Sequence, residues 1–426
     1  MKFNQLTKVA GAVAIVLGLS ACGGGSGGGS SASGTAGTAS VGTITGFGSV
    51  FVNGVEFQTN STSITIDGTP ATETDLAVGM VAHLNGSASG TTGVALSIDV
   101  HDELEGAVQS NGVTTPGGTG TLIIMGQNVT VDTNTLFESK VATIPTIDMI
   151  APGNIVEVNG YSDGNGNTIA TRIEVKAVDI TSYGKSIEVK GVISNLDTVA
   201  KTFTLGSLSV DYSSASMGNL TLADGLYVEV KSDTAPVSSG ATTTLTANRI
   251  DVQDDGKKGQ QGSEGEKLKI KGVIASVNGN DFLLMDGTNI ITDRSTKFDS
   301  EGSINLTKDA MVEVEGQFNT SGDLIARKIN IESSDASTQT EYRGLVINVT
   351  ATGINTGTVT LQDGSVFTVS NTTIMKDSSN SGVHQFNLQQ LETAWMNNES
   401  PYVQVNAYTD TTSGNLVATK LERDNP

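Results

Sequence analysis

The sequence predicts an all-β protein built from five tandem small barrel modules, and three observations support this fold class. The 426 residues include 51 glycines and only 7 prolines, a composition typical of many short strands joined by tight turns. Three short sequence anchors recur five times in the same order. Between the first and second anchors, each copy has two short apolar stretches around a turn, which predicts a hairpin.

The first residues of the chain have the three parts of a bacterial secretion signal. Lys2 and Lys8 give a positive start, and the apolar stretch Val9–Leu19 is shorter than the about 20 residues that a permanent membrane helix needs. The tetrapeptide Leu19–Cys22 resembles the lipobox of bacterial lipoproteins. This resemblance implies that residues 1–21 are a cleaved signal peptide and that Cys22 carries the lipid that anchors the protein to a membrane.

Residues 22–40 predict a flexible, disordered tether. After Cys22 this segment contains only Gly, Ser, Ala and Thr, which cannot bury enough apolar surface to fold. Enterobacterial sorting disfavours transfer to the outer membrane when aspartate follows the lipidated cysteine, and here Gly23 follows it. By this analogy we expect a lipid-anchored protein of the cell envelope, in the outer membrane of a Gram-negative bacterium.

The charge and the cysteine content exclude several classes of function. The formal net charge is −21, and removal of Lys2 and Lys8 with the signal makes it −23. Nucleic-acid binding draws most of its affinity from basic side chains, so we expect no nucleic-acid partner. Cys22 is the single cysteine of the chain, and its lipidation leaves no thiol for catalysis, for zinc ligation or for an intramolecular disulfide.

Three anchors define the repeat. The first is a glycine followed two residues later by an aliphatic residue: Gly42/Ile44, Gly106/Val108, Gly191/Ile193, Gly272/Ile274 and Gly344/Val346. The second is an alternating apolar pair: Ala82/Leu84, Val156/Val158, Val228/Val230, Val312/Val314 and Val403/Val405. The third begins with an alanine: Ala95/Ile98/Val100, Ala170/Ile173/Val175, Ala247/Ile250/Val252, Ala326/Ile329/Ile331 and Ala418/Leu421. Residues two apart share one face of a strand, so the apolar pairs face inward and the residues between them face outward: His83, Glu157, Glu229, Glu313 and Gln404.

The hairpins and their surroundings predict the type of barrel. Asn53-Gly54 is typical of a two-residue hairpin loop with positive φ. About one phenylalanine per copy lies in or beside the hairpin, where we expect core fillers: Phe57, Phe137, Phe203, Phe282 and Phe367. In the fifth copy, Asn387–Met396 places apolar residues at helical spacing before the second anchor. About six short strands with one helical insertion resemble a small Greek-key barrel of the OB type, and a repetitive β-solenoid is the alternative.

The anchors place the copies along the chain. We expect them at residues 41–100, 104–176, 187–253, 268–332 and 341–423, with a polar, glycine-rich linker at residues 254–267. The copies differ in length, and this linker is too long for continuous stacking of repeats. Both observations favour separate barrels over a solenoid.

The first copy and the later anchors also carry a family resemblance. GTITGFGSVFVNGVEF at Gly42–Phe57, and the later order of G-x-V-x-V-x-G then A-x-x-I-x-V, are similar to bacterial lipoproteins with tandem copies of domain of unknown function 5666. The resemblance covers about Val41 to Arg423, and copy five departs from it where Ser400 and Ala407 replace the second-anchor glycines. Because the family has no assigned activity, the resemblance implies a fold and no catalytic residues.

The densest polar cluster of the sequence joins the first two copies. It comprises five titratable residues: Asp99, His101, Asp102, Glu103 and Glu105. Such a cluster could hold a divalent cation such as Ca²⁺, because hard cations favour carboxylate oxygens. A solvated joint with outward charges explains the same residues, and we favour it because charge runs are commonly solvated. Asp163–Asn167 imitates the opening of a calcium loop, but a hairpin turn explains it more simply, so no metal or cofactor is assigned.

No catalytic residues are predicted. The sequence contains no nucleophile elbow, phosphate-binding loop or HExxH motif, and the three histidines are not placed together by sequence: His83, His101 and His384. Four aromatic residues could lie at the surface and stack on a sugar: Phe47, Phe51, Trp395 and Tyr402. We expect a scaffold or adhesion module for protein or glycan partners, and not an enzyme. The alternatives are a protein that binds a divalent cation or small ligand, and a glycan hydrolase that uses distant carboxylates.

Overall fold

Short strands joined by tight turns make up the part of the chain that the computed structural model describes. The fold is all-β, with 58% of the described residues in strands and 6% in helices. The structure describes residues 38–114, 119–132, 134–162, 167–239, 242–252, 267–284, 287–299, 306–307, 310–332, 340–379, 383, 385–410 and 413–425. The predicted signal peptide, Cys22, residues 254–266 of the predicted linker, His384 and most of the Asp163–Asn167 loop lie outside these residues. Within the described part, no helix is long and apolar enough to cross a membrane.

The strands form five modules in chain order. Module 1 contains β1 (Thr38–Gly46), β2 (Val50–Val52), β3 (Val55–Gln58), β4 (Ser63–Ile66), β5 (Thr69–Ala71), a 3₁₀ helix (Glu73–Asp75), β6 (Val81–Ser89) and β7 (Thr92–Val100). Module 2 contains β8 (Leu104–Asn111), β9 (Gly120–Ile124), β10 (Gln127–Val131), β11 (Leu136–Ser139), a 3₁₀ helix (Ile147–Met149), β12 (Ile155–Ser162) and β13 (Thr168–Ala177). The four-residue helix α1 (Ile180–Tyr183) follows.

Module 3 contains β14 (Ile187–Asp197), β15 (Thr202–Leu205), β16 (Leu208–Asp211), β17 (Tyr227–Ser232), β18 (Val237–Ser239), β19 (Thr242–Thr246) and β20 (Arg249–Val252). Module 4 contains β21 (Lys267–Asn278), β22 (Asp281–Leu284), β23 (Asn289–Ile291), β24 (Lys297–Asp299), β25 (Met311–Phe318) and β26 (Leu324–Glu332). Module 5 contains β27 (Thr340–Ala351), β28 (Gly357–Leu361), β29 (Val366–Val369), β30 (Ile374–Asp377), helix α2 (Leu388–Met396), β31 (Tyr402–Thr409) and β32 (Leu416–Asp424). The predicted tether is therefore too long, because β1 begins at Thr38 and its residues Thr38–Ser40 pair with both β6 and β21.

Each module closes into a small barrel by the same pairing. In module 1, β1 pairs with β2, β2 with β3, β3 with β7 in parallel, β7 with β6, and β6 with β1. Modules 2, 4 and 5 repeat this order, and module 3 divides the last strand into β19 and β20. This circular order, with a parallel pair between the third and last strands, is that of an OB-type barrel.

The phenylalanines predicted as core fillers occupy the barrel interiors. Phe57, Phe203, Phe282 and Phe367 are at most 2% exposed, and Phe137 is partly buried against the module 2 core. The two aromatic residues Phe47 and Phe51, expected as possible sugar platforms, are also buried. That expectation is wrong because both side chains are at most 1% exposed, and Phe47 packs in the module 1 core.

The second-anchor glycines lie where two strand backbones approach each other. Gly86, Gly160 and Gly316 each sit at a β-bulge, and a Cβ there would lie 2.1, 2.3 and 2.6 Å from a carbonyl oxygen of the partner strand. A bulge bends the strand and brings the backbones together, which excludes most side chains. Ala407 occupies the same bulge in module 5, so copy five keeps the register of the others.

A second glycine precedes the anchor and has a positive φ. The φ angles of Gly79, Gly153 and Gly225 are 92°, 93° and 86°. The equivalent residue in module 5 is Ser400, with φ of 50°, a left-handed conformation that strains a residue with a Cβ.

Replacing Ser400 by glycine is expected to raise the free energy of unfolding by up to about 1 kcal/mol, because the left-handed backbone is relieved of its strain. Chemical denaturation followed by circular dichroism measures the change. The matched control is Ser214→Gly, at an exposed turn position without a positive φ, where added chain entropy should lower stability. Equal loss of stability in both variants would show that Ser400 is unstrained.

The modules are closed barrels, as the sequence predicts, and neighbouring barrels are also joined to one another by strand pairing. Strand β1 pairs in parallel with β21, Thr38–Ser40 against Lys269–Lys271, and this joins modules 1 and 4 in one sheet. Strand β8 pairs antiparallel with β14, and this joins modules 2 and 3 in a second sheet. Unpaired strand edges expose backbone N–H and C=O groups, and here the edge strands of neighbouring barrels form hydrogen bonds with each other. Ala36–Pro426 accordingly forms one compact unit.

Module 5 docks on module 1 through a close backbone approach. The Thr45 hydroxyl donates to the Asn371 carbonyl oxygen at 2.9 Å, and the Gln385 amide donates to the Glu73 carbonyl oxygen at 3.1 Å. A Cβ on Gly46 would lie 2.4 Å from Nδ2 of Asn355, a side chain that is 1% exposed. The contact between the modules therefore requires a glycine at position 46.

Replacing Gly46 by alanine is expected to lower the free energy of unfolding by about 1 to 3 kcal/mol, because a methyl group is forced into a closed contact. Thermal unfolding of the variant measures the loss. The control is Gly344→Ala, whose Cβ would lie in ordinary contact, 3.6 Å from Leu361. If both variants melt with the wild-type midpoint, the two modules do not touch at Gly46.

Candidate functional site

The polar cluster that joins modules 1 and 2 is not fully solvated. Asp102 is only 4% exposed, although the sequence favoured outward charges throughout this joint. That interpretation is wrong for Asp102 because Lys190 of module 3 and the Asp67 turn of module 1 close over it. His101 remains about half exposed, with Nδ1 3.7 Å from Asp67 Oδ1.

Glutamates form a row across five neighbouring strands beside this joint. They lie directly opposite one another on β11, β13, β12, β8 and β14: Glu138, Glu174, Glu157, Glu105 and Glu188. The row crosses the seam between modules 2 and 3 and continues to Lys231 on β17. The apolar residues between them, such as Val156 and Val158, are buried, so the row lies on the outer face of the sheets.

Basic side chains compensate most of this negative charge. Like charges directly opposite each other destabilise a sheet, so such a row needs counter-charges. Arg172 contacts both Glu138 and Glu174, and Lys176 Nζ lies 2.6 Å from Glu157 Oε2. Within the described residues, Glu105 has no ion pair closer than 4 Å and instead accepts a hydrogen bond from the Tyr183 hydroxyl. Burial raises the pKa of Glu105, and the Tyr183 hydrogen bond only partly opposes it.

Lys190 is the cation at the centre of the joint. Its Nζ lies 2.6 Å from Asp102 Oδ1, 3.4 Å from Asp67 Oδ1 and 3.8 Å from Glu188 Oε1. Burial opposes ionisation of Asp67, but the nearby His101 side chain and the Lys190 charge outweigh it and lower the pKa of Asp67 to about 2. Burial raises the pKa of Asp102 well above its ordinary range despite the Lys190 charge.

The carboxylates of the joint fit an internal ion-pair network. Oxygens of Asp102, Glu105 and Glu157 lie within 4.8 Å of one another, and so do those of Asp67, Asp102 and Glu188. In the second group the Lys190 ammonium already lies among the oxygens, and in the first group Lys176 contacts Glu157. Lysine nitrogens therefore supply the positive charge that hard-cation sites receive from a metal.

A second charged junction joins modules 2 and 5. Lys376 on β30 donates to the Phe137 carbonyl oxygen at 2.6 Å and lies 3.3 Å from Glu422 on β32. Burial opposes ionisation of Glu422, but the charges of Lys376 and Lys420 and a hydrogen bond from Ser378 outweigh it. Together they lower its pKa from 4.5 to about 2.

The lowered pKa of Glu422 predicts a loss of stability in acid. A carboxyl with a depressed folded pKa stabilises the fold above its unfolded pKa, near 4.5, and this contribution disappears as the pH falls toward 2. The contribution at neutral pH is at most about 3 kcal/mol. Unfolding of wild type and Glu422→Gln from pH 7 to pH 2 measures it. We expect the two curves to converge in acid, and a constant difference across this range would contradict the assignment.

The sequence identified the residues of the joint but not their partners. Of the predicted cluster, Asp102 and Glu105 come together with Glu157, whereas Asp99 pairs with His83 across β6 and β7. Glu157 is the outward residue of the second anchor in module 2, and it lies directly opposite Glu174, the outward residue of the third anchor. Pairing the second anchor with the third in the sequence could therefore have found this contact. The contribution of Lys190 depends on the pairing of two modules, for which the sequence gives no signal.

Comparisons with known proteins identify the repeated domain. The family model described as Domain of unknown function (DUF5666) matches residues 105–174, in module 2, and residues 271–330, in module 4. No curated protein matches the chain. Among solved structures, a chain titled "drosophila Unr CSD456" is 13% identical and is matched over 55% of this chain and 95% of that chain, with a TM-score of 0.13. A score this low supports no argument about fold or function.

Proposed function

The chain carries tandem copies of DUF5666, and from this premise we propose that it is a non-catalytic scaffold of the bacterial cell envelope. The observation that supports the proposal most strongly is the pairing of strands between modules, β1 with β21 and β8 with β14. Continuous sheets fix the positions of the modules, so surface features on different modules keep constant distances. A scaffold or adhesion protein needs such a rigid surface for protein or glycan partners.

The chemistry of the described residues agrees with a structural role. The barrel interiors are filled with aliphatic and aromatic side chains, most of them less than 5% exposed. The charged groups that come together contact one another and link modules: Lys190 links modules 1, 2 and 3, and Lys376 links modules 2 and 5. Buried ion pairs of this kind specify one arrangement of parts more than they add stability.

The proposed location depends on Cys22. By the resemblance of Leu19–Cys22 to a lipobox, the mature chain begins at a lipidated cysteine and is held at the outer membrane. Labelling of cells with an alkyne fatty acid is expected to mark the wild type and to leave Cys22→Ser unlabelled. Equal labelling of both chains would exclude this anchor.

The scaffold function is tested by capture of partners in intact envelopes. Photo-reactive side chains at exposed positions on two modules, for example Val199 and Leu96, would be cross-linked in cells that produce the full chain. We expect a recurrent protein or glycan adduct that disappears when Gly46→Ala disturbs the junction between modules. Conversion of an envelope polymer by the purified chain, or adducts unaffected by that substitution, would count against a rigid scaffold.

A further inference from the structure

Lys190 and Asp102 form the closest enclosed amine and carboxyl pair of the module joint. Lys190 Nζ lies 2.6 Å from Oδ1 of Asp102 and 2.8 Å from its carbonyl oxygen. The side chains are 11% and 3% exposed. The two residues are 88 positions apart in sequence, with Asp102 in the joint between modules 1 and 2 and Lys190 in module 3, so a bond between them would close a large loop.

Two further carboxylates surround the amine. Asp67 Oδ1 lies 3.4 Å and Glu188 Oε1 lies 3.8 Å from Lys190 Nζ, on the turn after β4 and on β14. Each can accept a proton from the amine and return it to a leaving oxygen after a small movement. Burial raises the pKa of Asp102, so its carboxylate accepts a proton from the Lys190 ammonium more readily than an exposed aspartate would. Burial opposes protonation of Lys190, but the surrounding carboxylates outweigh it and raise its pKa, so the pair rests as ammonium and carboxylate. A proton must move from Lys190 to Asp102 before the reaction, which gives the neutral amine and the electrophilic neutral carboxyl.

We propose that Lys190 and Asp102 condense to an intramolecular amide that ties module 3 to the joint between modules 1 and 2. The neutral Lys190 amine attacks Cγ of the Asp102 carboxyl, and a bond forms between Nζ and Cγ. One Nζ proton passes through Glu188 or Asp67 to the carboxyl hydroxyl, which leaves as water. An ammonium and a carboxylate are thereby converted to one amide and one water, with no oxidant, reductant or other reactant.

The fold supplies what this condensation needs. Amide formation from a free acid and amine is unfavourable in dilute water, but groups held in contact react with a large effective concentration. The enclosure of Asp102 limits the access of water that would reverse the reaction. A chain with Cys22 as its single cysteine has no disulfide within its modules, so this amide would be their covalent link.

The structure contains a matched control pair. Lys176 Nζ also lies 2.6 Å from a carboxylate oxygen, Oε2 of Glu157, but these side chains are 22% and 18% exposed. Both residues belong to module 2, on neighbouring strands. Because this pair is more open to water, we expect it to remain an ion pair. The proposal thus predicts a bond at one lysine and none at the other.

Peptide mapping of the full chain tests the proposal. The chain would be purified, denatured and digested with trypsin and a protease that cleaves after glutamate, and the peptides would be identified by mass spectrometry. We expect a branched peptide joining Asp102 to Lys190, lighter than the sum of its parts by one water, and no tryptic cleavage after Lys190. Cleavage after Lys176 should be complete.

Variants assign the linked atoms and the proton carriers. Lys190→Arg keeps the positive charge but lacks the amine, so the branched peptide should disappear. Glu188→Gln combined with Asp67→Asn should lower the linked fraction at least tenfold in freshly refolded chain, since proton transfer by a positioned group contributes about 10²-fold or more. Complete cleavage after Lys190 in the wild type, with no branched peptide, would overturn the proposal whether or not the variants fold.

Discussion

Replacing Arg172 by leucine is expected to lower the free energy of unfolding by about 3 to 5 kcal/mol. The Arg172 side chain is 5% exposed and contacts the carboxylates of Glu138 and Glu174. Its Nη1 also lies 3.5 Å from the Val78 carbonyl oxygen of module 1. Leucine would remove the buried positive charge between Glu138 and Glu174, which face each other on β11 and β13, and Glu174 would keep only the contacts of Lys140 and Lys176. Urea denaturation followed by circular dichroism measures the loss.

The control for Arg172 is an arginine that pairs with a carboxylate at the surface. Arg249 contacts Asp251, but its side chain is 62% exposed. Arg249→Leu should leave the denaturation midpoint unchanged, because solvent screens such pairs. A variant of Arg172→Leu that also carries Glu138→Gln should recover part of the loss, because Glu138 would no longer be a charged carboxylate facing Glu174. An equal effect of the two arginine substitutions would contradict the burial-based explanation.

Replacing Phe57 by alanine is expected to cost about 3 to 5 kcal/mol and to lower the melting temperature of the whole described unit. Phe57 is 1% exposed in the module 1 core, and its ring lies against Gly93. Alanine would leave a cavity that the surrounding strands cannot close. Module 1 shares a sheet with module 4 and contacts modules 2 and 5. Unfolding of a destabilised module 1 should therefore unfold these modules as well.

Scanning calorimetry distinguishes this outcome from local melting. We expect one transition in wild type and one transition at lower temperature in Phe57→Ala. Val199→Ala provides the control, because Val199 is 92% exposed and its truncation should change stability by less than about 0.5 kcal/mol. A new low-temperature transition in Phe57→Ala, beside an unchanged main one, would mean that module 1 unfolds independently.

The repeated barrel could be predicted because each copy repeats the same physical requirements. Glycines such as Gly160 mark a bulge with no room for a side chain, and pairs such as Val156 and Val158 fill one barrel face. These features depend only on residues within one copy, so their spacing along the chain reveals them. The helix predicted at Asn387–Met396 appears as α2 at Leu388–Met396, with Asn387 as its N-cap.

The arrangement of the modules could not be predicted in the same way. The pairing of β1 with β21 joins residues more than two hundred positions apart, and nothing in Thr38–Ser40 distinguishes a tether from an edge strand. Asp102 looked solvated because its local sequence is charged, and only the approach of Lys190 and Asp67 buries it. The burial of Asp102 depends on how the modules pack together, and in an isolated module this residue would face water.

The most direct test of the rigid scaffold is amide hydrogen exchange at the strands that join modules. The two seams are Thr38–Ser40 with Lys269–Lys271, and Leu104–Glu105 with Glu188–Val189. If the modules form one body, these amides exchange as slowly as those inside the barrels, such as the Val156–Val158 segment. Rapid exchange at the seams, with the barrels still protected, would show that the modules move independently and would contradict the account.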